Sequence, residues 1–311
     1  MKRNSNKLPR VFLQRNRLIK KTPGEIIVNS IVFILFSIYA FLLIYLIVYL
    51  LFNSLFLTGY WYGEKIDNPN AHIEYTFTFQ NYVDALKVYV SDTRGFSIYL
   101  PEMFFNSMWY CFIGVSAGVL MSTFTGYVIA KYEFKGRNVI YAIAIFCMTI
   151  PIIGTTSSML KLVNSDYLPI YNTPFYVLLT SLGGFGFNFM VMHAFFKNVS
   201  WNYVEAVLID GGGHYTAFFK VMLPQAHSSI VTLVILALIG SWNDYSTPMM
   251  FLPDYPTVAS GIYTITKSNQ RSDNMPKLFA GLVLSFIPVL ILFSIFSDRI
   301  MKNFSIGGLK G

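Results

Sequence analysis

Six long windows without a charged residue restrict the fold of this 311-residue chain more than any other feature. Each window has at least 20 residues, enough for a helix that crosses about 30 Å of hydrocarbon. They are Ile26–Gly63, Met103–Ala130, Asn138–Leu160, Tyr167–Phe196, Val221–Asn243 and Leu278–Ser297. Because the strands of a membrane barrel are shorter and alternate in polarity, we predict an all-α integral membrane protein with six transmembrane helices.

The windows also set the limits of the predicted helices. These are Val28–Leu57, Phe105–Ala130, Val139–Leu160, Pro174–Phe196, Ser228–Phe251 and Leu278–Arg299. The first helix is rich in large apolar residues and predicts a flank that faces lipid. The second is dense in small residues from Gly114 to Gly126, which allow close helix packing. The glycines of Gly183–Asn188 lie inside a predicted helix, so they indicate helix packing and not a dinucleotide loop.

The net charge of +8 is unevenly distributed along the chain. Eight of the first 21 residues are Lys or Arg, which predicts a cytoplasmic tail beside anionic membrane lipids and argues against nucleic acid as a partner. The apolar run that follows is too long for a secretory signal. With six crossings both termini lie in the cytoplasm, and sixteen basic residues then fall inside and seven outside.

The same windows divide the chain into regions. We predict a basic cytoplasmic tail (1–27), a flanking helix (28–57), an extracellular loop (58–104), a helical core (105–300) and a cytoplasmic C-terminal tail (301–311), with a cytoplasmic loop at 197–227 inside the core. A loop as long as 58–104 is uncommon and usually functional. Cys111 and Cys147 both fall within predicted helices, so no disulfide framework is expected.

The cytoplasmic loop contains EAVLIDGGGHYTAFFKVMLP, from Glu205 to Pro224. The spacing of Asn202 and Glu205 predicts a capping box at the start of one short helix, and the glycines after Asp210 predict its end. A second helix over His214–Met222 is expected to carry one apolar patch formed by Tyr215, Phe218, Phe219 and Met222. Two such helices suit a helix-in-groove contact. The alternative is a pair of helices lying on the bilayer surface, where a polar face normally carries Lys or Arg.

This stretch resembles the cytoplasmic EAA loop of ABC-importer permeases, which in the carbohydrate branch reads approximately EAAxxDGAsxxxxFxxVxLP. The positions in register are Glu205, Ala206, Asp210, Gly211, Phe218, Val221, Leu223 and Pro224. The segments Asn106–Tyr141 and GSWNDYSTP are also similar to sugar permeases of the oligosaccharide and maltose type, so the resemblance covers the chain from about Asn106 onward. Val207 departs from the usual Ala, and Ser200 stands where proline is common.

The resemblance implies a type I importer permease with a MetI-like core in helices 2 to 6, in a bacterial cell membrane. The loop would be a coupling helix seated in a partner ATPase, and the coupling residues would be Glu205, Ala206, Asp210, Gly211, Gly213, Phe218, Leu223 and Pro224. The implied partners are a homologous second permease, two ATP-binding-cassette subunits, an extracellular solute-binding lipoprotein, an oligosaccharide and membrane lipids. The chain has no G-x-x-x-x-G-K-[ST] motif, so we expect ATP and Mg²⁺ on the partner, no cofactor here, and no enzyme activity.

Four residues of the fifth predicted helix are candidates for the substrate pathway: Trp242, Asn243, Asp244 and Tyr245. A carboxylate at membrane depth is costly and is a functional candidate by default. The alternative is that Asp244 caps or bonds a neighbouring helix. The resemblance also implies that the outer loop Pro253–Pro276 enters the binding protein, against the alternative of a plain solvated loop. The four histidines lack metal-ligand spacing, so we expect no metal site.

Two other classes of function remain as alternatives. A secondary transporter or channel, not coupled to ATP, would need charged relay residues or paired broken helices, and the sequence shows neither pattern. A membrane-embedded enzyme would need an acid–base or metal cluster, which is also not evident. The sequence therefore favours the permease subunit of an ATP-driven, binding-protein-dependent carbohydrate importer that works by alternating access.

Overall fold

A computed structural model describes residues 22–56, 75–150, 154–267 and 275–306 of the chain. The chain divides into two units, Met1–Phe52 and Asn53–Gly311. The first 21 residues, which form most of the predicted basic tail, lie outside the described residues, as do residues 307–311 of the predicted C-terminal tail. The part of the first unit that is described is one helix whose apolar side chains are exposed over its length, consistent with a flank that faces lipid.

The described elements are almost all helices. They are α1 (Pro23–Phe56), α2 (Gln80–Ala85), β1 (Tyr89–Ser91), β2 (Ser97–Tyr99), α3 (Leu100–Lys131), α4 (Arg137–Thr149), α5 (Thr155–Val163), α6 (Pro174–Ser181), α7 (Phe187–Asn198), α8 (Asn202–Ile209), α9 (His214–Gln225), α10 (His227–Asn243), α11 (Ser246–Phe251), α12 (Val258–Lys267) and α13 (Met275–Ile306). The two strands form an antiparallel hairpin in which Val90 pairs with Ile98.

The prediction of six transmembrane helices is not confirmed. Among the described residues, α1, α3 and the Met275–Phe296 part of α13 are long and apolar enough to span a membrane. The pair α9 and α10, bent by 72° at its junction, adds a fourth candidate. The other predicted helices are divided into shorter ones: α4 and α5 replace the third, and α6 and α7 replace the fourth. An uncharged window measures hydropathy, and it does not show where the backbone leaves the helical conformation.

Glycines divide the fourth predicted helix. Gly184 and Gly186 have φ angles of +69° and +139°, which non-glycine residues rarely adopt. The hydroxyl of Thr125 on α3 donates a 2.8 Å hydrogen bond to the Gly184 carbonyl, so a backbone acceptor freed by the break is satisfied by a neighbouring helix. The helix that was predicted to continue through these glycines is therefore broken there, while Gly184 also packs closely against α3, since a Cβ on it would lie 3.1 Å from Thr125.

Helix α3 is the central element of the second unit, and it packs against α6, α7, α10 and α12. A Cβ on Gly126 would lie 3.0 Å from the Met192 Cβ and from the His193 nitrogen of α7, so the predicted close approach of small residues is confirmed here. Around the Lys131 end of α3, Tyr127, Met192 and Phe196 join a buried apolar cluster with residues of α8, α9 and α10.

At its other end α3 begins at Leu100, five residues before the predicted start, with Pro101 in the first turn, where proline has no hydrogen bond to lose. The region predicted as the outer loop Pro253–Pro276 is partly helical. The α12 residues Val258 and Ile262 are buried, and a Cβ on Gly261 would meet the Met103 sulfur at 2.3 Å. A plain solvated loop is therefore wrong for Val258–Lys267, while residues 268–274 lie outside the described residues.

Candidate functional site

Helix α8 begins without the predicted capping box. Asn202 is the first helical residue and Trp201 occupies the N-cap, with no side-chain hydrogen bond at the cap. The Trp201 carbonyl accepts the amides of Val204 and Glu205 at 2.8 and 3.2 Å, and the hydroxyl of Ser200 accepts the Asn202 amide at 3.3 Å. Glu205 is exposed in the first turn, where its charge is favourable to the helix dipole.

The glycine run ends α8 as predicted, but its three members differ. Gly211 has a φ of +80° with open space around its Cα, so its backbone conformation is what requires glycine. At Gly212 space is limiting, since a Cβ would lie 2.6 Å from the Val207 Cγ1. Gly213 has an ordinary φ of −93° and no neighbour within 4 Å. The amides of Gly211 and Gly212 satisfy the carbonyls of Leu208 and Val207 at the helix end.

Helix α9 presents two apolar faces, where the sequence predicted one patch. Phe218 and Met222 are buried, and the Phe218 ring lies 4.8 Å from that of Tyr127 on α3. Tyr215 and Phe219 point away from this cluster and are 79% and 58% exposed. Members of each pair are four residues apart, so each pair shares a face of the helix. The prediction that all four residues form one surface was therefore wrong.

The exposed residues of α8 and α9 form what we name the coupling surface. Its apolar members are Tyr203, Leu208, Ile209, Tyr215 and Phe219. The Ile209 side chain is 85% exposed. Together with its apolar neighbours it forms a patch of the kind that marks a protein or membrane contact. The acids Glu205 and Asp210 and the small Ala206 are exposed on the same two helices. Of the other predicted coupling residues, Phe218 is buried, Leu223 is half-buried and Pro224 is exposed.

Two polar contacts join this element to the Lys131 end of α3, and sequence reasoning missed both. The Lys131 ammonium donates to the Val199 carbonyl just before α8. The Tyr132 hydroxyl lies 3.0 Å from the Nδ1 of His214, the first residue of α9. The Tyr132 ring also packs edge-on against Trp201. The element is therefore held to α3 at the start of α8 and at the start of α9, and the turn KYEFKGR was the available sequence signal.

The four predicted pathway residues lie around a break between α10 and α11. Asp244 accepts the Tyr110 hydroxyl of α3 at 2.8 Å, and its other oxygen accepts the amides of Ser246 and Thr247 at 3.1 Å. It therefore caps α11 and bonds a neighbouring helix, which was the alternative interpretation of this carboxylate. Whether it also contacts substrate stays a prediction.

Trp242 and Tyr245 are also held by protein contacts. The Trp242 indole donates to the Ser285 carbonyl of α13 at 3.0 Å, which ties α10 to α13. The Tyr245 ring stacks on Tyr263 of α12 at 4.4 Å and remains 43% exposed. Asn243 is exposed and donates to the Ile239 carbonyl within its own helix. The four residues therefore lie at one junction, where Trp242 and Asp244 form hydrogen bonds with other helices of the same chain.

Residues 114–305 match the family described as "Binding-protein-dependent transport system inner membrane component". The match covers α4 to α12, more than half of α3 and nearly all of α13, including the coupling surface. This chain belongs to that family. It is therefore a transport subunit of an ABC importer and not an enzyme.

Individual relatives agree with the family assignment. The permease is 27% identical over 252 residues to the diacetylchitobiose uptake system permease of Streptomyces coelicolor, covering 80% of this chain and 79% of that protein. It is 29% identical over 212 residues to the arabinooligosaccharide transport system permease of Halalkalibacterium halodurans, covering 67% and 74%. It is 25% identical over 246 residues to the trehalose transport system permease of Mycobacterium tuberculosis, covering 76% and 83%.

A solved structure shows the same fold. The permease superposes with a TM-score of 0.70 on a chain from a bacterial ABC transporter that imports the acidic polysaccharide alginate, with 20% sequence identity over 90% of this chain and 99% of the other. The likeness extends well beyond the residues of the family match, so the MetI-like permease core predicted from the EAA resemblance is confirmed as a fold. Within the described residues no group of three His, Cys, Asp or Glu side chains is placed to hold a metal ion.

A polar cluster closes the Leu100 end of the second unit. Asp254, which follows α11, accepts the amide of Thr93 at 3.0 Å and the Asn172 side chain at 2.7 Å. Arg94 of the hairpin turn forms ion pairs with Asp92 at 2.8 Å and with Asp254 at 3.5 Å. Burial raises the pKa of Asp254, but the hydrogen bonds from Thr93 and Asn172 and the Arg94 charge outweigh it and lower the pKa below its ordinary value.

Proposed function

We propose that this permease forms one half of the translocation pathway of a carbohydrate importer and takes an oligosaccharide from an extracellular binding protein. The relatives described above carry di- or oligosaccharides, and they come from three bacterial species. The single observation that carries the mechanism is the coupling surface, an exposed apolar patch on a rigid, glycine-stopped helix pair.

The coupling surface is the docking face for an ATP-binding subunit. Its aromatic and aliphatic side chains suit the apolar centre of a protein interface, and Glu205 and Asp210 suit its polar rim. A bilayer-surface helix is the alternative, but such a helix normally carries basic residues on its polar face. The exposed charges of α8 are acidic, which disfavours contact with anionic lipid. We therefore assign the binding of ATP and Mg²⁺ to the partner subunit. The movement of that subunit is transmitted to this chain through the coupling surface.

The contacts to α3 explain how such movement reaches the membrane helices. The α8–α9 element is joined to α3 through Lys131 and Tyr132 and through the buried Phe218 ring. Because α3 also packs against α6, α7, α10 and α12, displacement of the coupling surface moves the centre of the unit. Alternating access then follows from rocking this unit against a homologous sister permease.

We further propose that both termini lie in the bacterial cytoplasm and that the hairpin and α12 lie outside. The excess of basic residues on the proposed inner side supports this orientation. Cysteines at Lys7 and at Asp84, placed in a chain with Cys111 and Cys147 replaced, provide the test. An impermeant thiol reagent on intact cells should label Asp84→Cys and spare Lys7→Cys, and the reverse pattern contradicts the topology.

Co-purification and uptake test the function itself. The permease, its non-identical sister, two ATPase subunits and a binding lipoprotein should purify together and, in liposomes, accumulate sugar from a panel of diacetylchitobiose, arabinotriose, trehalose and maltotriose when ATP is supplied. A stable homodimer that transports alone contradicts the sister subunit. Uptake that needs no ATPase would support a secondary transporter or channel instead.

A further inference from the structure

A polar cavity lies where α3, α6, α10 and α11 meet, in the second unit of the permease. Its volume is about 110 Å³, comparable to roughly three or four molecules of liquid water. Hydroxyl groups dominate its lining, and they belong to Tyr110, Tyr176, Thr180, Ser181, Ser241 and Thr247. Neither a basic nor an acidic side chain is among the residues that line it. The cavity is therefore neutral and rich in groups that both donate and accept hydrogen bonds.

The lining hydroxyls fall into two sets. Tyr110 donates to Asp244 at 2.8 Å, the Thr247 side chain also bonds Asp244, and Thr180 donates to the Tyr176 carbonyl of its own helix at 2.8 Å. In contrast, the hydroxyls of Tyr176, Ser181 and Ser241 have no hydrogen-bond partner among the residues that the structure describes. Tyr176 is only 5% exposed, and a buried tyrosine hydroxyl normally finds a partner. These three groups are available to a molecule inside the cavity.

Two opposite walls of the cavity end in helix breaks. Ser181 is the last residue of α6, before Gly184 and its positive φ. On the other wall, α10 ends at Asn243, and Asp244 redirects the chain into α11. Ser181 and Ser241 therefore lie next to breaks in their predicted spans, on two different helices that line the cavity.

The chemistry of the lining selects a class of ligand. An anion would need a basic partner and a cation would need a free carboxylate, whereas Asp244 is engaged by Tyr110, Ser246 and Thr247. An apolar molecule would leave the buried Tyr176 hydroxyl and the half-buried Ser181 and Ser241 hydroxyls unsatisfied, which is unfavourable. A neutral polyhydroxyl compound satisfies them, because each of its hydroxyls can accept one hydrogen bond and donate another.

We propose that this cavity is a contact site for the hydroxyl groups of a carbohydrate in transit, with Tyr176, Ser181 and Ser241 as its binding residues. The inference rests on the proposed function, since it assigns the sugar contact within the same pathway. It also assigns the sugar contact to residues other than the four that the sequence suggested, Trp242, Asn243, Asp244 and Tyr245. Trp242 and Asp244 hold the wall of the cavity through their protein bonds, and the groups that meet the sugar lie on α6 and in the last turn of α10.

The test uses the complete transporter in liposomes, with the sugar that the uptake panel identifies. Tyr176→Phe, Ser181→Ala and Ser241→Ala are made singly and together. Each single variant should lower kcat/KM for uptake by about two- to tenfold, the effect of one lost hydrogen bond. The thermal stability of the complex should stay unchanged or rise, because these hydroxyls have no protein partner to lose. Ser116→Ala is the matched control, since that α3 hydroxyl donates to the Phe112 carbonyl and lies outside the cavity.

The outcomes separate the inference from the proposed function. If the unaltered transporter accumulates sugar and the triple variant does so within twofold of it, the cavity is not a contact site. If uptake and thermal stability fall together, the hydroxyls have a structural role and the inference is again wrong. Failure of the unaltered transporter to accumulate any carbohydrate, while it hydrolyses ATP and accumulates another class of solute, overturns the proposed function as well. Reduced uptake with unchanged stability in the triple variant, and normal uptake in Ser116→Ala, supports the inference.

Discussion

The coupling surface and the Asp254 cluster lie near opposite ends of α3, and their interactions differ in kind. At the Lys131 end, α8 and α9 are shaped by local signals, a glycine run and a Leu-Pro pair within twenty residues, and they leave large apolar side chains exposed. At the Leu100 end, hydrogen bonds join the hairpin to a loop 161 residues further along the chain, and polar groups are paired with one another.

This difference indicates which end is built to bind a partner and which is built to stay closed. An exposed apolar surface gains stability only when something covers it, whereas the Asp254 cluster satisfies its polar groups within the chain. Substitutions of the exposed residues at the Lys131 end should therefore change assembly and transport with little effect on folding. Substitutions at the Leu100 end should change stability first.

The largest effect is expected at Gly211. Its φ of +80° is strained for any residue with a Cβ, and most of all for a β-branched one. Gly211→Val should redirect the chain after α8, displace the coupling surface and reduce sugar uptake by at least about tenfold, while membrane abundance is retained. Uptake and sugar-stimulated ATP hydrolysis of the purified complex measure the effect.

Gly213→Ala is the matched control for Gly211→Val. Gly213 has an ordinary φ and open space around its Cα, so the added methyl group should leave uptake within about twofold of normal. Normal uptake and ATP hydrolysis in Gly211→Val would contradict the coupling role of this loop. The bilayer-surface alternative would then be the better account.

The next largest effect is expected on α9, where substitutions on the buried face and on the exposed face should have different consequences. Phe218 is buried against Tyr127, whereas its neighbour Phe219 is 58% exposed. Phe218→Ala should destabilise the permease by about 3 kcal/mol, the usual effect of removing a buried ring. Phe219→Ala should leave thermal stability unchanged and reduce the amount of ATPase that co-purifies. Equal loss of thermal stability in the two variants would show that the distinction between the faces is wrong.

The features that the sequence predicted well are those encoded over short distances. The long helices α1, α3 and α13 follow from uncharged windows, and the glycine stop after α8 follows from three residues in a row. The predicted capping box was wrong because the helix begins one residue earlier than the pattern implies, with Trp201 at the N-cap, and the Trp201 carbonyl accepts the Glu205 amide that Asn202 was expected to bind. A spacing rule identifies residues able to cap, and it does not identify which of several neighbouring candidates does so.

The features that the sequence did not predict depend on distant partners. The break at Gly184 is supported by Thr125 on another helix, and the break at Asp244 is held by Tyr110, 134 residues away. Paired broken helices were considered a mark of secondary transporters, and their apparent absence was used against that class. Several predicted helices are broken in the part of the chain that the structure describes, although no pairing of these breaks in two repeats is evident there, and the family match is what assigns the chain to ABC importers.

A smaller effect is expected at Asp254, where the cluster closes the Leu100 end. Asp254→Asn keeps the size of the side chain but removes its charge and one acceptor for Thr93 and Asn172. It should lower the thermal stability of the complex with sugar uptake initially unchanged. Asp84→Asn is the control, because its ion pair with Lys87 is long, at 3.9 Å, and exposed on the lysine side, and such pairs contribute little.

The pH dependence of this cluster follows from the lowered pKa of Asp254. A carboxyl whose pKa is lower in the folded state contributes stability that is fully present above its unfolded pKa, near 4, and is lost as the pH falls through the folded value. Thermal stability should therefore be level from about pH 7 to 5 and fall below about pH 4. Asp254→Asn should make that fall shallower. An unchanged acid profile in the variant would contradict the role of the cluster.

The smallest effect is expected at Tyr132, whose hydroxyl lies 3.0 Å from His214 Nδ1 in an exposed position. Tyr132→Phe keeps the edge-on packing against Trp201 and removes the hydrogen bond to His214, worth about 1 kcal/mol or less where water competes, together with a longer contact of 3.4 Å to the Tyr127 hydroxyl. We expect uptake to fall by about twofold or less, since the buried Phe218 ring and the Lys131 contact still join the element to α3.

A double-mutant cycle with His214→Ala assigns that effect to the Tyr132–His214 contact. If the contact is what matters, Tyr132→Phe should have no further effect on uptake once His214 is replaced. Additive losses would mean that each side chain acts through other neighbours. A tenfold loss from Tyr132→Phe alone would instead show that this exposed bond transmits most of the movement, and that the apolar contacts between α9 and α3 transmit little of it.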